Sequence, residues 1–167
     1  ILAPTKALVD QVSRELKQLL ADTEAASWVV LEGSRDYPQN DEAIRTGRFD
    51  IAVIIPEKLA ALVRSGMNIA RVPLILVDEL QHIVDGRRGL QLESLLLDIL
   101  GGESVPRVVG LSASLAPPTV ALLQSWFTRN NLGVDFLEIE ARPVPLTVSV
   151  VDDYRRLVSR THIRDDR

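Results

Sequence analysis

Four apolar runs rich in β-branched residues, each followed by an amphipathic stretch, constrain this chain more than any other feature. The runs are Trp28-Val29-Val30-Leu31, Ile51-Ala52-Val53-Ile54-Ile55, Leu74-Ile75-Leu76-Val77 and Val108-Val109-Gly110-Leu111. Apolar throughout rather than alternating, they suit strands covered on both faces of a parallel sheet. Between them apolar residues return at helical spacing: Val9, Val12, Leu16, Leu19 and Leu20 after Thr5, then Leu59, Leu62 and Val63 after Pro56, then Leu92, Leu95, Leu96 and Ile99 before Gly101-Gly102. Pro117 and Pro118 open one more helix through Leu122, Leu123 and Phe127, because the first amides of a helix have no partner to lose. Residues 134–139 read as a further strand. Strand and helix alternate, which predicts an α/β, doubly wound, mainly parallel sheet flanked by helices. Ligands of such sheets bind beyond the carboxyl ends of the strands, so the residues after each run are where chemistry is sought.

Composition narrows the function classes. The chain has 167 residues, 46% of them apolar and 25% charged, which is one domain's worth of chain able to bury its own core. It has no cysteine and two histidines. Thiol catalysis, thiolate zinc sites and disulfide frameworks are therefore excluded, and a histidine-based metal site is not expected. No run approaches the roughly 18 to 20 apolar residues of a membrane span, and the N-terminus has no charged segment leading into an apolar one. The expectation is a cytoplasmic protein without a membrane partner. The first residue is Ile1 rather than Met, so further residues are expected upstream. A net charge of −4 speaks against a basic grip over the whole surface while leaving room for a local patch. Aromatic residues, at 4%, are too few to favour a base-stacking platform, and Trp28 and Trp126 read as packing residues.

Two segments carry chemistry. In Leu74-Ile75-Leu76-Val77-Asp78-Glu79-Leu80-Gln81-His82 an apolar strand delivers two carboxylates at its carboxyl end. An aspartate there suits a hydrated Mg²⁺ on nucleotide phosphates, and an adjacent glutamate suits the activation of water. The same pair equally suits capping of a following helix and its first turn. In Val108-Val109-Gly110-Leu111-Ser112-Ala113-Ser114 a second buried strand ends in small hydroxyl residues, which suit contacts to the acidic pair or a cap on the helix after Pro117. His82 reads as a packed or surface residue, and Arg155, Arg156 and Arg160 as a solvated face.

These segments resemble, in order and spacing, the motifs of superfamily 2 helicases. Ala3-Pro4-Thr5-Lys6-Ala7-Leu8-Val9-Asp10-Gln11 is similar to motif Ia, Ile55-Pro56-Glu57-Lys58-Leu59 to motif Ib, Asp78-Glu79-Leu80-Gln81 to motif II (the DExH box) and Ser112-Ala113-Ser114 to motif III. Arg142-Pro143-Val144-Pro145-Leu146 resembles the segment closing the first RecA-like domain in the branch of archaeal DNA-repair and exosome-associated helicases. The resemblance covers residues 2–146. It implies a RecA-like (P-loop NTPase) first motor domain over residues 1–146, with residues 147–167 as linker or the start of a following region.

The resemblance also implies roles. ATP and Mg²⁺ would be the cofactors, with Asp78 organising the metal through water, Glu79 as catalytic base, and Gln81, Ser112 and Ser114 coupling the nucleotide to strand movement. Pro4, Thr5 and Lys6, with Pro56, Glu57 and Lys58, would line the surface for single-stranded DNA or RNA. Gly33 and Arg35 stand at the family's Gly-Asp turn, and Arg88 where the family often carries Arg-Gly; both would add strand contacts. A second RecA-like domain of the same parent chain would be the partner. Gln81 stands where the branch usually has His, Ile54-Ile55 where hydroxyls are common, and Ser114 where Thr is usual. No Gly-x-x-x-x-Gly-Lys-Ser/Thr loop occurs in these residues, so this chain by itself is not expected to hydrolyse ATP. The alternative is a non-catalytic RecA-like module that binds nucleic acid or protein.

Overall fold

The computed structural model describes residues 1–84, 86–102, 105–113 and 115–137, with the backbone alone for 86–88. It divides into two units, Ile1–Gly133 and Val134–Arg167. Of the second, only residues 134–137 are described, and they take no regular structure, contrary to the strand expected there. A strand needs an edge to pair with, and among the described residues none pairs with these four. The RP-V-P-L segment, residues 142–146, and the tail, 147–167, lie outside the described residues.

The first unit alternates strand and helix: α1 (Lys6–Ala21), β1 (Val30–Gly33), α2 (Asp41–Arg45), β2 (Ile51–Ile54), α3 (Pro56–Arg64), β3 (Leu74–Val77), α4 (Gly86–Leu100), β4 (Arg107–Gly110) and α5 (Pro117–Arg129). β1 and β2 pair in parallel from Val30 opposite Ile51 to Gly33 opposite Ile54. β3 and β4 pair in parallel from Leu74 opposite Arg107 to Val77 opposite Gly110. Residues 1–3 lie between the two pairs, where Leu2 bridges in parallel to both Ile54 and Val77. The Leu2 amide donates to Leu76 O at 2.7 Å, the Asp78 amide donates to Leu2 O at 3.0 Å and the Ala3 amide donates to Ile54 O at 3.0 Å. The sheet order is thus β1, β2, residues 1–3, β3, β4. The Ile1 nitrogen donates to Ala52 O at 2.7 Å.

Both faces are covered along β2, as an unbroken apolar strand requires, whereas no residue of β4, expected as a buried strand, is fully buried. Along β2, Val53 packs with Ala3 and Val9 under α1, while Ala52 and Ile54 point to the opposite face and join Leu59, Leu95, Ile99 and Trp126 from α3, α4 and α5. Each of the larger aliphatic side chains contributes about 1.5–3 kcal/mol by leaving water, and each alanine methyl about 0.8 kcal/mol or less. Trp126, 2% exposed, donates its Nε1–H to Glu93 Oε1 at 2.6 Å. Thr5 caps α1 by accepting the Leu8 amide at 3.3 Å, and Pro56 opens α3.

Three details differ from the sequence reading. β1 begins at Val30, leaving Trp28 ahead of the strand and half exposed rather than packed. Leu19 and Leu122 face solvent although each fits a helical apolar stripe. β4 starts one residue early, at Arg107, and Leu111 falls beyond it.

Candidate nucleotide and nucleic-acid site

All the strands run the same way, so the loops after residues 1–3, β1, β2, β3 and β4 gather along one edge of the sheet. That edge receives Pro4, Thr5 and Lys6, then Gly33 and Arg35, then Pro56, Glu57 and Lys58, then Asp78, Glu79 and Gln81, then Ser112. Ser114 and the Arg88 side chain lie outside what is described.

The box is built by three constraints. First, the Asp78 amide is tied to Leu2 O, which fixes where β3 stops. Second, the Leu80 amide donates to Leu111 O at 3.0 Å, stitching the box to the loop after β4. Third, Gly110 leaves space for the Leu80 side chain: a Cβ there would lie 2.2 Å from Leu80 Cδ2. Glu79 absorbs the resulting turn with φ +53°, a left-handed conformation that costs a non-glycine residue about 1–2 kcal/mol. Its carboxylate accepts a hydrogen bond from Gln81 Nε2, and Asp78 Oδ1 accepts the Glu79 amide at 3.0 Å. The chain then forms a 3₁₀ turn, Leu80–Val84, and α4 begins only at Gly86. Neither carboxylate therefore caps the following α-helix.

The Gln81 Oε1 and Ser112 Oγ atoms are buried without a hydrogen-bond partner among the described residues. Orphaned polar atoms are uncommon, and these two lie on the box and on the loop after β4 that is stitched to it. Among the described residues no three acidic or imidazole groups converge on a metal position. A single aspartate is the coordination that suits Mg²⁺, which keeps most of its waters. The residues present thus fit a magnesium nucleotide.

On the neighbouring loops, Arg35 is exposed, while Gly33 and Ser34 are buried. Ser34 Oγ accepts the Asp36 amide at 3.2 Å. Tyr37 donates to Asp10 Oδ1 at 2.9 Å; that bond, then burial and nearby carboxylates, raises its phenol above the ordinary range. Lys6 Nζ pairs with Asp36 Oδ1 at 2.8 Å, and Lys58 Nζ with Asp41 Oδ2 at 2.5 Å. Asp36 and Asp41 were not singled out by sequence. They lie 30 and 17 residues from their lysines, too far for helical or hairpin spacing to link them. Among the described residues no helix is long and apolar enough to cross a membrane.

Against this geometry, the family described as DEAD/DEAH box helicase matches residues 1–123. The ATP-dependent DNA helicase Hel308 of Pyrococcus abyssi is 30% identical over 142 residues, 84% of this chain and 18% of that protein. Hel308 of Thermococcus kodakarensis is 32% identical, again over 84% of this chain but 12% of its own length. The chain spans less than a fifth of these relatives. Among solved structures, the yeast DEAD-box splicing factor Prp28 aligns with a TM-score of 0.56 at 19% identity, covering 75% of this chain and 30% of that one. A hypothetical ATP-dependent RNA helicase from Sulfolobus tokodaii aligns equally well, at 19% identity over 76% of this chain and 37% of that one. These likenesses give the same α/β, RecA-like fold that the strand order describes.

Proposed function

Because the chain belongs to the DEAD/DEAH box helicase family, which matches residues 1–123, we propose that it is part of the first motor domain of an ATP-dependent nucleic-acid translocase or helicase. The observation that carries this reading is the Asp78-Glu79 pair at the end of β3, stitched to the loop after β4, with Gln81 Oε1 and Ser112 Oγ buried and unpartnered among the described residues. Bound ATP with Mg²⁺ supplies a phosphoanhydride and a cation that draws charge from it.

The protein side of the chemistry falls to few residues. Asp78 would hold the ion through its waters. Glu79 takes the proton of the attacking water, and Gln81 holds that carboxylate by its Nε2 bond. Ser112 and Ser114 pass the nucleotide state to the strand-binding loops. Lys6, Lys58, Arg35 and Arg88 meet phosphates, and Pro4, Thr5, Gly33, Pro56 and Glu57 shape the surface they share; none of these contacts reads base identity. A second RecA-like domain closes the site from the other side, in a protein that works inside the cell. The DNA helicases among its relatives favour DNA over RNA as the strand.

The test is ATP hydrolysis by the full-length protein, with and without single-stranded DNA or RNA, beside Glu79→Gln. The amide keeps the side chain's shape but cannot accept a proton, so turnover falls by about 10²- to 10⁴-fold while ATP binding stays within a few-fold. Undiminished turnover refutes the role of Glu79. A folded full-length protein with no hydrolysis favours the non-catalytic module.

A further inference from the structure

The two lysines that face the strand-binding edge are both already held by carboxylates. Lys6, at the start of α1, pairs with Asp36 after β1, and Lys58, in the first turn of α3, pairs with Asp41 at the start of α2. The pairs differ in setting. The Lys6 and Asp36 side chains are 45% and 58% exposed, whereas those of Lys58 and Asp41 are 15% and 34% exposed. Among the described residues Asp41 Oδ1 is buried without a partner, and Lys58 is the side chain that bonds the carboxylate there.

We propose that Asp36 and Asp41 act as a built-in competitor for the nucleic-acid phosphates: each carboxylate occupies a lysine until a phosphate displaces it, and the two together weaken strand binding. The proposal rests on the reading of Lys6 and Lys58 as strand-facing residues. A lysine free in solution gives up a condensed counterion from the nucleic acid when it meets a phosphate, and that release appears as salt dependence. A lysine already neutralised by a carboxylate must first break that pair, leaving an unpaired anion close to the incoming one. Affinity and salt dependence both fall. The exposed pair opens readily, since such pairs are weakly held. The Lys58–Asp41 pair, more enclosed, is the firmer of the two, because burial reduces screening.

The positions of these aspartates separate this role from a structural one. Removing a merely structural ion pair weakens the fold and leaves strand affinity alone or lowers it. Removing a competitor raises affinity. Asp36→Asn and Asp41→Asn keep the shape of each side chain while discarding its charge.

The experiment measures binding of fluorescein-labelled oligothymidylate and oligouridylate to the full-length protein by anisotropy, between about 50 and 200 mM salt. Asp36→Asn is expected to tighten binding about two- to fivefold, and Asp41→Asn somewhat more. The slope of log affinity against log salt steepens by about 0.7 for each lysine released. Lys6→Gln and Lys58→Gln are measured alongside. If they weaken binding while both asparagine variants leave affinity and slope unchanged, the competitor role is overturned and the strand-facing reading stands. If neither lysine affects binding, both are overturned. Should Asp41→Asn disturb α2, shown by circular dichroism, the exposed Asp36→Asn variant decides alone.

Discussion

Gly89 sits in α4 where the helix crosses the 3₁₀ turn that follows the box. A Cβ added there would lie 2.5 Å from His82 O and 2.6 Å from Ile83 O, both backbone atoms, and 2.9 Å from Ile83 C. Side-chain carbons essentially never approach other atoms within 3.0 Å, so the turn and helix must part by about half an ångström or more. Crowding of this kind costs about 1–3 kcal/mol, and rigid backbone on both sides places it at the upper end. Alanine in place of glycine inside a helix returns about 1 kcal/mol. The net expectation for Gly89→Ala is a loss of about 2 kcal/mol, or a fall in Tm of about 4–8 °C at this chain size. Chemical denaturation of the 167-residue chain measures it, with Ser94→Ala on the exposed side of α4 as a reference expected to change little. Because the displaced turn begins directly after Glu79, ATP turnover in the full-length protein falls as well. A Gly89→Ala chain as stable as the parent, or more so, refutes the close crossing, since only propensity would then be acting.

Ser13 is 1% exposed in α1 and its Oγ has no partner among the described residues, so Ser13→Ala removes an unsatisfied hydroxyl and improves helix propensity. We expect a gain of about 1 kcal/mol by urea denaturation; a loss would show that the hydroxyl is satisfied.

Legibility in the sequence followed how local each cause is. β2 and β3 match the sequence to within a residue because four or five consecutive apolar residues rich in β-branching admit little else. β1 was read two residues early because Trp28 and Val29 are apolar yet lie before the strand, an ambiguity that hydropathy cannot resolve. α2 escaped notice because five residues with only Ile44 buried show no periodicity. The motif order placed Lys6, Lys58, Asp78 and Ser112 at one end of the sheet, and the parallel strands account for that. The lysine–carboxylate pairs and the left-handed Glu79 were invisible, since both arise from contacts between loops distant in sequence.

Residues 1–3 also carry a consequence for how the molecule forms. They leave the ribosome before the rest of this sheet, yet their partners are Ile54 and Val77, 52 and 75 residues later. The β1–β2 pair needs only some twenty residues of separation and can assemble early, as can β3 with β4. Among the described residues it is Leu2 that joins the two halves into one sheet. The closing step thus waits for the most distant contact, where loop entropy is greatest and folding slowest. Until then two strand edges stay open in each half, and the interval before closure is when this domain is most exposed to mispairing with another copy.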